Sequence, residues 1–187
     1  MNSLPREFYL ENTVSVAKKL LGKKIIRRIG NNIISGIITE TEAYRHKDDP
    51  ASHAFTRMTE RNKVMFGEVG IAYVYFTYGM HYCFNVVAKN PKTKAGAVLI
   101  RAIEPEKGIK TMQKNRKMSD LKNLTNGPAK LAQALNITKE QYGVDLTKNP
   151  KLFITNGIKS NKITASSRIG IRKSIDKLWN FKIDIKN

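Results

Sequence analysis

Residues 33–39 form an apolar, strand-like run that leads directly into Glu40-Thr41-Glu42-Ala43-Tyr44. A strand cannot bury its apolar face alone, so this run requires a sheet. Its polar end sets reactive groups where a strand is expected to give way to a loop, the usual location of functional side chains. Side chains alternate along a strand, so Glu40 and Glu42 project to one side, with Tyr44 beside them if the strand persists. Asp48-Asp49-Pro50-Ala51-Ser52-His53 then adds two more carboxylates and a histidine within the same short span.

Around this segment the pattern predicts an ordered series of short elements. Asn12 or Thr13 caps a helix over 14–21, closed by Gly22. Residues 23–29 pair with 33–39 as a hairpin about Gly30-Asn31-Asn32. The polar stretch 45–60 reads as a site loop. Residues 71–78 and 81–88 form a second hairpin around Gly79-Met80, with Tyr78 and His81 flanking its tip. A strand over 97–103 carries Arg101, a charge in an apolar run that needs a partner. Amphipathic helices are predicted over 106–117, with Ile109 and Met112 inward, and over 128–135, where Asn126-Gly127-Pro128 begins a helix whose free amides and Lys130 suit a phosphate. Residues 151–155, 163–171 and 178–185 are short strand or loop segments. Cys83 reads as a core residue, and the lone cysteine excludes an internal disulfide.

The chain of 187 residues is long enough to bury one core, and a single domain over 1–187 is expected. Its 34 Lys and Arg against 15 Asp and Glu give a net charge of +19, which points to a polyanionic partner. The basic residues are spread over many elements rather than one amphipathic helix, which favours nucleic acid over a membrane surface. With no signal-peptide core and no apolar run of spanning length, an intracellular, cytoplasmic or nucleoid-associated protein is expected.

Several separated motifs together resemble one family, the alkyladenine (3-methyladenine, methylpurine) DNA glycosylases. They are Glu40-Thr41-Glu42-Ala43-Tyr44 with Ser52-His53, Arg61-Asn62 with Met65-Phe66-Gly67, Ala72-Tyr73-Val74-Tyr75 with Tyr78-Gly79-Met80-His81-Tyr82-Cys83, and Asn85. Val98-Leu99-Ile100-Arg101-Ala102-Ile103-Glu104-Pro105, Gly127-Pro128-Ala129-Lys130-Leu131 and Arg168-Ile169-Gly170 complete the set, in order along the whole chain.

The resemblance implies a single α/β domain of the α+β type, with a curved, mainly antiparallel sheet flanked by helices and a protruding, DNA-inserting hairpin. It implies a monomer acting without metal or organic cofactor on double-stranded DNA with damaged purines. By resemblance, Glu42 is the general base that activates water and Arg101 helps to hold that water. Tyr44 and His53 line one side of the base pocket and Tyr75 stacks on the other. Asn85 is similar to the residue that crowds the amino group of guanine. Tyr78 is similar to the residue that fills the gap left by a flipped nucleotide, and Met80 and Lys130 fall in the DNA-contacting motifs. The chain departs from the family pattern at its end, where members continue into a Gly-containing segment ending in Val-Ser whose backbone helps to position the water. Here Phe181-Lys182-Ile183-Asp184-Ile185-Lys186-Asn187 closes the sequence, which predicts a more open active-site floor.

These residue types suit cleavage of an N-glycosidic bond. Charge that builds on the sugar is stabilised by a nearby carboxylate, which also takes a proton from water. Two rivals use the same residues differently. A metal-dependent nuclease would employ Glu40, Glu42, Asp48, Asp49 and His53 as oxygen-rich ligands, and chelator sensitivity separates it. A non-catalytic nucleic-acid-binding module explains the charge and the tyrosines but leaves the two glutamates idle.

Overall fold

The computed structural model describes residues 2–77, 79–159 and 162–185, and its spine is the hairpin of β1 (Lys24–Ile29) and β2 (Asn32–Arg45). The turn between them uses Gly30 at a φ of +53°, a left-handed conformation open to glycine at no steric cost. The sequence predicted a strand of seven residues; β2 has 14, because the polar stretch from Glu40 onward stays in the sheet. It does so because both of its edges are occupied. β5 (Gly96–Lys107) pairs with β2 from Ser35 to Arg45. On the other edge, β1 pairs as far as Ile37, and β8 (Asn180–Lys182) then takes Glu40 to Glu42. Gly36 lets β2 and β5 approach closely, since a Cβ there would meet Glu104 O at 2.6 Å.

The sheet has eight strands in the order β3-β4-β5-β2-β1-β6, with β7 on β8 beside it, and every pairing is antiparallel. β3 (Ala72–Thr77) and β4 (His81–Val87) pair along their length, as predicted for 71–78 and 81–88. Tyr78, between them, lies outside the described residues. β6 (Leu152–Thr155) and β7 (Thr164–Ser166) are short. The sheet curls into a half-barrel, and register shifts between Ile38 and Thr41 place a bulge next to the two glutamates.

α1 (Thr13–Leu20) is capped by the Asn12 side chain, which accepts from Val14 N, and it buries Val16, Ala17 and Leu20 against the sheet. Thr41 Oγ1 donates to Ala17 O at 2.9 Å, so the Thr41 and Phe181 side of β2 and β8 faces α1. Alternation then turns Glu40, Glu42 and Asn180 to the opposite side. α2 (Ile109–Arg116) and α3 (Pro128–Ala134) bury Met112 and Leu131, and α3 lies on β4 and β5. The core contains Tyr9, Phe84, Phe181, Ile25, Ile38 and Ile100, all essentially without exposure. The architecture is α+β, as expected. Among the described residues no helix is long and apolar enough to cross a membrane.

Candidate active site

Glu42 is fully buried, and its carboxylate accepts four hydrogen bonds. Tyr44 OH at 2.8 Å and Arg101 Nη1 at 3.3 Å donate to Oε2. Ile169 N at 2.7 Å and Asn180 Nδ2 at 3.0 Å donate to Oε1. All four neighbours are donors, and an ionised carboxylate, which only accepts, has about four lone-pair sites to offer. Burial of such a group is tolerated only when it is compensated in this way.

Glu40 shares two of these partners. Arg101 Nε donates to its Oε1 at 3.0 Å and Asn180 Nδ2 at 2.7 Å, while Lys182 Nζ lies 3.4 Å away. The partner that Arg101 needed is therefore both glutamates. β2, β5 and β8 each supply one part of this cluster, and the three strands are in register there: Glu42 lies opposite Leu99 on one side and Asn180 on the other.

Above Glu42 opens a cavity of about 360 Å³ lined by Tyr44, His53, Tyr75, Cys83, Asn85 and Arg101, with Pro128, Ile169 and Gly170 at its margins. Tyr73 and Tyr75 come from the same face of β3, their rings 5.4 Å apart. His53 sets its ring edge-on to Tyr75 at 4.6 Å, and its Nδ1 meets Tyr73 OH at 2.8 Å. The loop carrying His53 is held by Asn62, whose Nδ2 donates to His53 O at 2.7 Å. Burial, with the Arg61 guanidinium as a second cause, pushes His53 down to about 4, so its ring is neutral at physiological pH. Burial raises the phenols of Tyr44 and Tyr75 well above the usual range, so both remain hydroxyl donors. Asn85 is buried and donates from Nδ2 to Tyr73 O at 2.9 Å. Cys83 is buried as expected, yet it also lines the cavity.

A second buried pair holds the surroundings together. Arg168 and Asp49, neither with any side-chain exposure, form a bidentate bridge with both N–O distances at 2.6 Å. Arg168 Nη1 also donates to Ala43 O at 2.9 Å, and its guanidinium lies 4.6 Å from the Tyr44 ring and 5.2 Å from Trp179. This bridge ties the loop after β2 to the segment at 168–171 and delivers the Ile169 amide to Glu42. The predicted open floor is thus closed, by Ile169 and Asn180, because β8 pairs with the polar half of β2.

The carboxylates that a metal site would use are turned to cations instead: Glu40 and Glu42 to Arg101, Asp49 to Arg168, Asp48 to Arg45. Among the described residues no group of three or more His, Cys, Asp and Glu is arranged to hold a metal ion. Farther out, Met80 is 69% exposed, and Lys130 Nζ donates to Asn123 Oδ1 and Asn126 Oδ1 at 3.0 and 2.8 Å.

The structure therefore gathers Glu42, Arg101, Tyr44, His53, Tyr75 and Asn85 around one cavity, with Met80 and Lys130 outside it. Sequence reasoning assigned no role to Asn180, the Ile169 amide or the Asp49–Arg168 pair. The signals were present only as Arg168-Ile169-Gly170 among the motifs and as an unremarkable Trp179-Asn180.

A buried carboxylate beneath an aromatic cavity, in a strongly basic α+β protein, defines a hydrolase-like site that fits a base of nucleic acid. Comparison with known proteins makes this specific. The family described as methylpurine-DNA glycosylase matches residues 7–187. Proteins provisionally named 3-methyladenine DNA glycosylase are 47% identical in Carboxydothermus hydrogenoformans (95% of this chain, 93% of that one) and 45% in Prosthecochloris aestuarii (96% and 86%). A protein of the same provisional name in Francisella tularensis is 44% identical, covering 98% of this chain and 95% of its own. The chain belongs to the methylpurine-DNA glycosylase family, and its substrate is DNA.

Proposed function

We propose that the protein, as a monomer, flips a damaged purine of the 3-methyladenine type from duplex DNA and hydrolyses its N-glycosidic bond with water activated by Glu42. The observation that carries this reading is the Glu42 carboxylate, held rigidly under a cavity whose volume is in the range of small-molecule sites. In the reaction, the water oxygen bonds to C1′ while a water proton passes to Glu42. The bond from C1′ to the purine nitrogen breaks, and its electron pair leaves with the base. The carboxylate stabilises the positive charge that builds on the sugar, and Arg101 orients the water.

An alkylated purine already carries positive charge, so it is a good leaving group. Tyr44 and Tyr75 hold it by stacking, with a cation–π contribution of roughly 0.5–2 kcal/mol. His53 is neutral and contributes a wall of the pocket rather than an acid. Asn85 restricts the base edge. Tyr78 at the β3–β4 turn fills the vacated space in the stack, Met80 supports it, and Lys130 contacts phosphate; such insertion offsets part of the cost of extruding the base, about a few kcal/mol.

The direct test is incubation with methylated duplex. Free methylpurine is expected, leaving abasic sites that break only on later alkali treatment, with the same yield in EDTA. Strand scission by the protein alone, or loss of activity in EDTA, would instead support the metal-dependent nuclease. A second expectation concerns charge. A +19 chain that neutralises about six phosphates should lose roughly a thousand-fold in affinity for undamaged duplex between 50 and 200 mM salt. A flat salt dependence in a binding titration would reject the phosphate-tracking surface.

A further inference from the structure

Glu42 is fully buried and reaches the cavity only through residues that touch it, of which Tyr44, Arg101 and Ile169 line the cavity wall. Its four lone-pair sites are already taken, two on each oxygen. A water that is to hand a proton to Glu42 must therefore first gain one of these sites. The Ile169 amide is backbone, fixed by the Arg168–Asp49 bridge beside it. Asn180 is tied at once to Glu40 and to β7 through Ser166 Oγ. Arg101 is 9% exposed and anchored by Glu40. The Tyr44 hydroxyl alone is a rotor, which can turn its single proton away from Oε2 without breaking another contact.

Resting on the reading of Glu42 as the base, we propose that the Tyr44 hydroxyl holds the outward lone pair of Glu42 in the free protein and yields it to the attacking water once a base occupies the cavity. Tyr44 is then a positioning residue as well as a stacking surface: its ring meets the base while its oxygen keeps the carboxylate aimed and capped. Burial, and next the neighbouring Glu42 charge, keep the phenol protonated, as a capping donor must be. The other charged or titratable groups about Glu42 are Glu40 on β2, Arg101 on β5, Lys182 on β8, Arg168 across the Tyr44 ring and Cys83 on β4. Tyr44→Phe changes none of them.

Tyr44→Phe keeps the ring and removes the donor. With one hydrogen bond fewer to its charged form, Glu42 gains a proton more readily, so the low-pH limb of the single-turnover excision rate should move to higher pH by about half a unit or more, while binding of lesion DNA stays within a few-fold. Carbon-detected NMR titration of Glu42 in the free Tyr44→Phe protein should show the same upward displacement without any DNA. An unchanged Glu42 titration overturns the capping contact. A displaced titration with an unmoved rate profile overturns its part in the reaction. If Glu42→Gln were to remain active, the reading of Glu42 as base would fall, and the NMR result would still judge the contact on its own. Tyr44→Leu, which loses ring and hydroxyl together, should weaken lesion binding as well, and a loss of binding already in Tyr44→Phe would count against the proposal.

Discussion

Glu42→Gln is expected to lower single-turnover excision by about a thousand-fold or more while binding to lesion DNA persists within a few-fold. The magnitude is that of losing a positioned general base, together with the charge that stabilises the sugar cation. Binding persists because phosphate contacts and the aromatic walls of the cavity do not involve the carboxylate. The amide also changes the local hydrogen bonding. All four groups around Glu42 donate, and a glutamine must present two N–H donors to one pair of them. Tyr44 can turn round and accept; Arg101, Ile169 N and Asn180 Nδ2 cannot. A stability loss of about 1–3 kcal/mol is therefore expected from the mismatch, and it is separable from the loss of chemistry. The measurement is excision rate beside thermal unfolding and a gel-shift titration on the same preparation. Excision within a few-fold of the parent would remove Glu42 from the mechanism.

Asp49→Ala should be among the most destabilising single substitutions in the protein, at about 3–5 kcal/mol, because it leaves Arg168 charged, buried and without its bidentate partner. The remaining contacts of Arg168, to Ala43 O and to the faces of Tyr44 and Trp179, are too few to replace two charge-assisted bonds at 2.6 Å. Removing both charges together is a different experiment. Asp49→Ala combined with Arg168→Met should recover much of the stability, since a buried pair often contributes little net over apolar packing. The double variant should nonetheless excise poorly, because Arg168 also sets the Ile169 amide against Glu42 Oε1 and backs the Tyr44 ring. Urea unfolding of the two variants, read beside excision, tests both parts. Parental stability in Asp49→Ala would mean that the bridge contributes nothing.

The local patterns were legible from the sequence. Strand alternation and turn residues placed both hairpins, helical spacing placed α1, α2 and α3 to within a few residues, and the charge of +19 pointed to a polyanion. Glu42, Tyr44, His53, Tyr75, Asn85 and Arg101 could be singled out as well, because each sits in a short motif whose residue types already suggest a site. The extent of β2 was not legible. Its half beyond Thr39 is polar, and polar residues stay in a sheet only when other strands complete the ladder on both edges, here β5 and the three residues of β8.

The second set of contacts around Glu42 was decided by tertiary structure alone. Asn180 lies 138 positions from Glu42, the Ile169 amide 127 positions, and Arg168 lies 119 positions from Asp49. Periodicity and spacing report on neighbours within a turn or a strand, and nothing in the residues near Asp49 or Glu42 marks partners so far along the chain. A backbone N–H carries no side-chain signature at all, so the Ile169 donor could be found only where the folded chain brings it. Sequence supplied the groups that can do chemistry; the register of β2, β5 and β8 and the buried Asp49–Arg168 bridge decided which oxygen of Glu42 meets which donor.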